Sequence, residues 1–309
     1  MNFDDFYGLD RQITLLKGDM NGRHVHAYLF DGPVGMGKRT LAGICARALN
    51  CSGTDKPCDA CPSCVRALHG AHPDIITLKP EKSIGVEEIR ALIARVMTRP
   101  FEGGIHAVIM EDAHKMTPAA QNALLKTLED PPESAVFFLV ATSVSPLLPT
   151  ILSRVRRVRF EGIDGQSCLN ALARRGVAPE RARILARVAD GSVGKALMLD
   201  ADGQYWAARK RVTDALGALR GASSVGVAAY ALRDDKDHSA LVFEILEQIS
   251  RELMRREAVP EYDIAPDIEG LKLRGDALLL SLIRARKRLN SNVAWQSVLE
   301  MLLFDILEG

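Results

Sequence analysis

The sequence of 309 residues predicts an α/β domain built on a parallel sheet, followed by a region made of helices alone. Three observations carry this. Strand-like apolar runs alternate with helical stretches up to about Gly162, a glycine-rich loop separates the first strand from the helix after it, and from 164 onward no convincing strand pattern occurs.

AYLFDG (27–32) is the first strand, running into the glycine loop, and Lys38 to Leu49 is the helix that follows. A cysteine-rich loop comes next, then a strand DIITL (74–78). Val86, Ile89, Ile93 and Val96 share one face of a helix from about Val86 to Val96, which Arg99-Pro100 stops. HAVIM (106–110) is the third strand. TPAAQNALLKTLED opens a helix with Thr117 as N-cap and Pro118 at the first helical position, and Pro131-Pro132 ends it. AVFFLVAT (135–142) reads as a buried strand and RVRRVRF (154–160) as an alternating one. Strands that are apolar throughout belong to a sheet covered on both faces. Past 164, ERARILARVAD, YWAARKRVTDALGALR, ALVFEILEQISRELMRRE and NVAWQSVLEMLLFDILE read as helices, with breaks at Gly191 to Gly194 and at RDDKDHS (233–239). The expected domains are 1–163, 164–207 and 208–309.

A net charge of +1 and 26% charged residues give no global electrostatic reason to bind nucleic acid or a membrane surface, so any such binding is local. MNFDDFYGLD is acidic and lacks an apolar signal core, and no run approaches 18 apolar residues, so a cytoplasmic chain without a membrane span is expected. In a reducing compartment six cysteines are metal ligands or buried apolar residues rather than disulfides.

GPVGMGKRT (32–40) satisfies G-x-x-x-x-G-K with Gly32, Gly37 and Lys38, and Gly35 lies between. Glycines let backbone N–H groups wrap around phosphate, the helix N-terminus favours anions, and Lys38 reaches the β and γ oxygens. Position 39 should supply a hydroxyl to magnesium but is Arg39, and Thr40 is rotated about 100° further around the helix. The second nucleotide motif should be an apolar strand ending in Asp then Glu. Here Glu111-Asp112 carries the two in exchanged order, and the shorter carboxylate falls short of an attacking water. The site is therefore a degenerate nucleotide site for ATP or ADP with Mg2+. An ordinary glycine turn and a solvated acidic strand end are the plain alternatives.

Cys51, Cys58, Cys61 and Cys64 follow C-x6-C-x2-C-x2-C, enough thiolates in one short loop to surround a tetrahedral zinc. Four protein ligands leave no open position, so the zinc is structural. An iron–sulfur cluster is the rival, but ferredoxin runs place the fourth cysteine downstream before a proline, and here it lies upstream. Free thiols are the third reading. Cys45 and Cys168 are expected to be small buried residues.

GPVGMGKRT, the cysteine loop, HPDIITL, EDAHKMTPAAQNALLKTLEDPPESAVFFLVAT and LPTILSR, in that order, resemble the bacterial DNA polymerase III clamp loader subunits over about residues 6 to 200. The resemblance implies an AAA+ nucleotide-binding domain with a zinc-binding insertion, a helical lid, and an all-α collar through which subunits assemble. It implies that Ser153 and Arg154 match a serine-arginine pair whose arginine enters the neighbouring subunit's ATP site, although Val155 replaces the usual cysteine. It implies that Thr142 matches the residue sensing the γ-phosphate, and that Gly194 stands where motor subunits carry a sensing arginine, with Lys195 one place away. The partners implied are the motor subunits and the delta subunit of a hetero-pentamer, the sliding clamp, and primer-template DNA within the complex, followed by helices of the first domain. The expected role is an accessory one, with weak or no ATP hydrolysis of its own. An ATP-hydrolysing gamma/tau-type motor subunit is the alternative, and a zinc-containing AAA+ DNA-binding regulator a more remote one. RARKR (284–288) reads as a solvated helix face.

Overall fold

Strands β1 (Ala27–Asp31), β2 (Ile75–Leu78), β3 (His106–Met110), β4 (Ala135–Ala141) and β5 (Arg156–Arg159) pair in the order β2-β3-β4-β1-β5, every neighbour parallel. The computed structural model describes residues 2–259 and 261–308. The chain divides between Ile163 and Asp164 into two compact units.

Every residue of β1, β3 and β4 is buried, as the unbroken apolar runs require. Helices α1 (Asp10–Gly18) and α2 (Lys38–Leu49) cover one face of the sheet, where Tyr28, Phe30 and Phe138 pack against Leu41, Ala42 and Cys45. Tyr28 and Phe138 stack at 5.3 Å between ring centroids. On the other face Leu29, Phe137 and Leu139 meet Ile89 of α4 (Val86–Val96) and Leu124 and Leu128 of α5 (Pro118–Glu129). Phe30, Phe137 and Phe138 are each wholly buried. Each such side chain contributes about 1.5–3 kcal/mol relative to exposure.

Two expectations need correction. The cysteine stretch is not all loop: α3 (Pro62–Leu68) begins inside it, because Pro62 suits a first helical position and the Cys61 sulfur accepts the Cys64 N–H as an N-cap. RVRRVRF is a strand only over Arg156–Arg159. Pro149 nucleates the one-turn helix α6 (Pro149–Leu152), so Arg154 lies in the turn before β5.

A buried glutamine holds that turn. Gln121 of α5 accepts the Leu148 N–H at 2.7 Å and donates to the carbonyls of Pro146 at 3.0 Å and Met116 at 3.2 Å.

The second unit holds α7 (Gly165–Arg174), α8 (Pro179–Val188), α9 (Val193–Ala201), α10 (Gly203–Ala218), α11 (Val225–Ala231), α12 (Ser239–Ala258), α13 (Gly275–Asn290) and α14 (Trp295–Glu308), with no strand among the described residues. Helix α10 runs through the expected boundary between 207 and 208. Its Arg209 is buried, forks onto Asp267 at 2.6 and 3.0 Å, and reaches the Tyr205 hydroxyl at 3.3 Å.

Candidate functional site

The glycine loop joins β1 to α2. Gly32, Gly35 and Gly37 have φ of +146°, +81° and +76°, conformations that only glycine adopts without strain. A Cβ on Gly32 would stand 2.1 Å from the Phe160 carbonyl oxygen, and one on Gly37 would stand 2.5 Å from the Phe6 ring. The loop keeps the backbone form of a phosphate cradle, closed against the end of β5 and the N-terminal segment.

Lys38, at the first position of α2, is buried with its Nζ donating to the carbonyls of Gly32 at 2.6 Å and Pro33 at 2.5 Å. Burial pushes its amine below the usual lysine value, against the pull of Asp31 and Asp112. Arg39 points to the end of β3, its Nε 2.7 Å from Glu111 Oε1. Thr40 is exposed on the next position of the helix. Asp112 adopts a left-handed φ of +50° and pairs with Lys115 at 2.9 Å. Thr142, one residue past β4, has its hydroxyl 3.2 Å from His114. Arg39 and Glu111 are thus drawn together, whereas Lys38 turns to the loop carbonyls and Asp112 and Thr142 turn to Lys115 and His114. Arg39 and Glu111 also line a cavity of about 200 Å3 with Gly43, His72 and Thr77.

The four cysteine sulfurs Cys51, Cys58, Cys61 and Cys64 lie within 4.8 Å of one another. A zinc about 2.3 Å from each of four sulfurs places them about 3.8 Å apart. Backbone N–H groups of Gly53 and Cys58 point at Cys51 Sγ at 3.3 Å, that of Cys61 at Cys58 Sγ at 3.3 Å, and that of Cys64 at Cys61 Sγ at 3.4 Å. The Cys64 N–H is the main reason the Cys61 thiol falls to about 5, while burial raises Cys64 to about 12. None of the four is in a disulfide. Clustered thiols with N–H donors aimed at sulfur fit a divalent metal that takes thiolates. Arg47, near the end of α2, pairs with Asp59 of this loop at 2.8 Å, tying the cluster to the helix that carries the glycine loop. Nothing in the sequence pattern marks that pair. Cys45 and Cys168 are buried apart from the cluster.

Arg154 follows α6. Its guanidinium meets Glu129 Oε1 at 2.7 Å and donates to the Thr150 carbonyl at 3.0 Å and the Ser153 hydroxyl at 3.1 Å, with one third of the side chain exposed. The other arginines of the run are otherwise engaged. Arg156 pairs with Asp19 at 2.7 Å, Arg157 forks onto buried Asp31 at 2.7 Å through both bonds, and Arg159 lies 3.3 Å from Glu161. Glu129 and Gln121 both belong to TPAAQNALLKTLED, which reads from sequence as a packing helix, so their polar tasks were hidden by its apolar stripe. Gly194 lies in the first turn of α9, where the Lys195 N–H is capped by Ser192 at 3.1 Å. Within RARKR, Arg286 pairs with Glu247 at 2.6 Å and Arg288 with Asp305 at 2.9 Å.

A family profile described as DNA polymerase III, delta subunit, matches residues 10–164. The chain is 33% identical to DNA polymerase III subunit tau of Bacillus subtilis over 80% of its own length and 46% of that protein. It is 33% identical to the tau subunit of Escherichia coli over 70% of its length and 36% of that protein. The chain therefore spans less than half the length of these tau subunits. It is 29% identical to subunit delta' of Bacillus subtilis over 92% of its own length and 91% of that protein. Among solved structures, a DNA polymerase III gamma subunit-related protein from Thermotoga maritima superposes with a TM-score of 0.52 at 19% identity, covering 96% of this chain and 98% of that one. That likeness speaks for the fold, which is the AAA+ fold with a helical C-terminal region and a cysteine cluster compatible with zinc.

Proposed function

The chain belongs to the family of DNA polymerase III clamp loader subunits, and from that premise we propose that it acts as a delta-prime-type accessory subunit, lending Arg154 to a neighbouring subunit's ATP site. The observation that carries this reading is the contrast between two cationic sites. In the chain's own loop, Arg39 replaces the metal's hydroxyl ligand and pairs with Glu111. Arg154 stands partly exposed in a turn, held by Glu129, Thr150 and Ser153. A guanidinium brought to a transferring phosphoryl group from another chain stabilises its charge and accelerates hydrolysis by orders of magnitude. Reaching such a phosphate exchanges the Glu129 contact for an anion of higher charge. The match to a delta' subunit over nearly the full length of both chains supports the same role.

In this reading Cys51, Cys58, Cys61 and Cys64 hold a structural zinc, the domains are 1–163, 164–207 and 208–309, and the C-terminal helices join the chain to motor and delta subunits. The assembly places a sliding clamp on primer-template DNA in the cytoplasm. The test is to reconstitute the loader with Arg154→Ala and measure ATPase stimulated by DNA and clamp. A drop of about tenfold or more is expected. Undiminished hydrolysis would remove Arg154 from the role.

A further inference from the structure

The magnesium ion that a phosphate loop of this kind employs does not fit the residues around this one. The position that should offer a hydroxyl is Arg39, and both acids that should face the ion already hold cations of the chain, Glu111 at 2.7 Å and Asp112 at 2.9 Å. A divalent ion entering here would meet a guanidinium at contact distance and would have to displace it from Glu111. The other parts of a cradle are kept, namely glycines at φ of +81° and +76° and a lysine on the first turn of α2.

We propose that the Arg39 guanidinium takes the place of the divalent cation, so that this loop receives the polyphosphate of a nucleoside triphosphate without magnesium. The inference rests on the loop being a nucleotide site in a subunit of this family, and does not depend on Arg154. A guanidinium carries five N–H donors in a planar fork. Glu111 engages it through Nε, which fixes the stem and leaves the forked end to grip phosphate oxygens in the bidentate manner that suits arginine. Lys38 exchanges the carbonyls of Gly32 and Pro33 for phosphate when the ligand enters. The cationic charge that a metal would bring is then already part of the fold, held on the first turn of α2 by an acid at the end of β3. Such a site grips nucleotide but lacks the ion that polarises the γ-phosphate, which agrees with a subunit that does not turn over.

The experiment is equilibrium binding of fluorescent ATP to the purified full-length chain, in excess EDTA and in millimolar magnesium. Affinity in EDTA is expected to equal or exceed that in magnesium. Arg39→Thr is expected to weaken binding in EDTA by about tenfold or more and to make added magnesium strengthen it. Arg39→Lys, which keeps the charge but not the fork, is expected to bind a few-fold more weakly while staying indifferent to magnesium. Circular dichroism of each variant guards against simple misfolding. Three results would overturn the proposal: a wild-type requirement for magnesium, no saturable binding in either buffer, or unchanged affinity of Arg39→Thr in EDTA. Arg154→Ala should bind like wild type. If magnesium-free binding fails while Arg154→Ala still depresses the assembled ATPase, only the cation substitution is lost.

Discussion

Gln121→Met is the sharpest test of how the fold positions Arg154. The substitution keeps the length and approximate volume of a buried side chain while deleting every polar atom it uses. Three hydrogen bonds go: the one accepted from Leu148 N at 2.7 Å and those donated to Pro146 at 3.0 Å and Met116 at 3.2 Å. Each is worth about 1 kcal/mol net. The loss is therefore about 3 kcal/mol, and more where a backbone group finds no water in its place. For a domain of this size each kcal/mol moves the midpoint by about 2–4 °C, so thermal unfolding should fall by about 6–12 °C. The assay is a melt of the full chain followed by calorimetry, where the affected transition should belong to the sheet domain. Below that transition the segment from Pro146 to Leu148, which leads into α6 and Arg154, loses its anchor. The assembled ATPase should fall too, though less than with Arg154→Ala. A midpoint shift under about 2 °C would refute the reasoning, since it would mean that the three bonds are exchanged for water without cost.

Metal analysis of the purified chain should find zinc, and Cys61→Ser should abolish it and lower the melting temperature; retention of zinc by that variant would dismiss the four-thiolate site. Asp267→Asn leaves the buried Arg209 cation without its counter-charge and should cost about 3 kcal/mol in urea unfolding, whereas a loss below about 1 kcal/mol would show that Tyr205 and Gln248 suffice. Burial raises the Glu252 carboxyl above its usual range, opposed by the Tyr262 hydroxyl and by Arg255 and Arg187. Because the folded value exceeds the unfolded one, this group stabilises the fold fully in acid and loses that contribution as pH rises through its folded value. Glu252→Gln, which keeps an acceptor for Tyr262, should therefore be more stable than wild type at neutral pH, with the gap closing toward acid; a constant gap would argue that charge is irrelevant there.

The sheet was legible because β1, β3 and β4 are buried on both sides and so advertise themselves as unbroken apolar runs. Proline and threonine marked the start of α5, and four cysteines at short spacing announced their own cluster. Short elements were not legible. α6 has one turn and no periodicity to detect, and it shortens the strand expected from RVRRVRF. α3 hides among cysteines whose spacing invites a loop reading. At the site, Arg39 could be named as out of place from sequence, but its ion pair with Glu111 could not, since it depends on β3 ending beside α2. The same holds for Arg154 and Glu129: the apolar face of α5 is a local pattern, while the carboxylate at its end acts on a residue two elements later.

β5 closes the sheet at one side, and three of its four residues are arginines. A terminal strand turns one row of backbone N–H and C=O groups away from the sheet, a template on which a second chain could lay its own strand, and here Gln12 donates to the Arg159 carbonyl at 2.8 Å. Asp19, Asp31 and Glu161 hold Arg156, Arg157 and Arg159, so the charge along this border is anchored rather than trailing in solvent. An incoming apolar strand would have to strip water from three guanidinium groups to dock. The border that ends the sheet thereby also discourages aggregation, and neutral substitutions at these arginines would expose that liability even where the fold survives them.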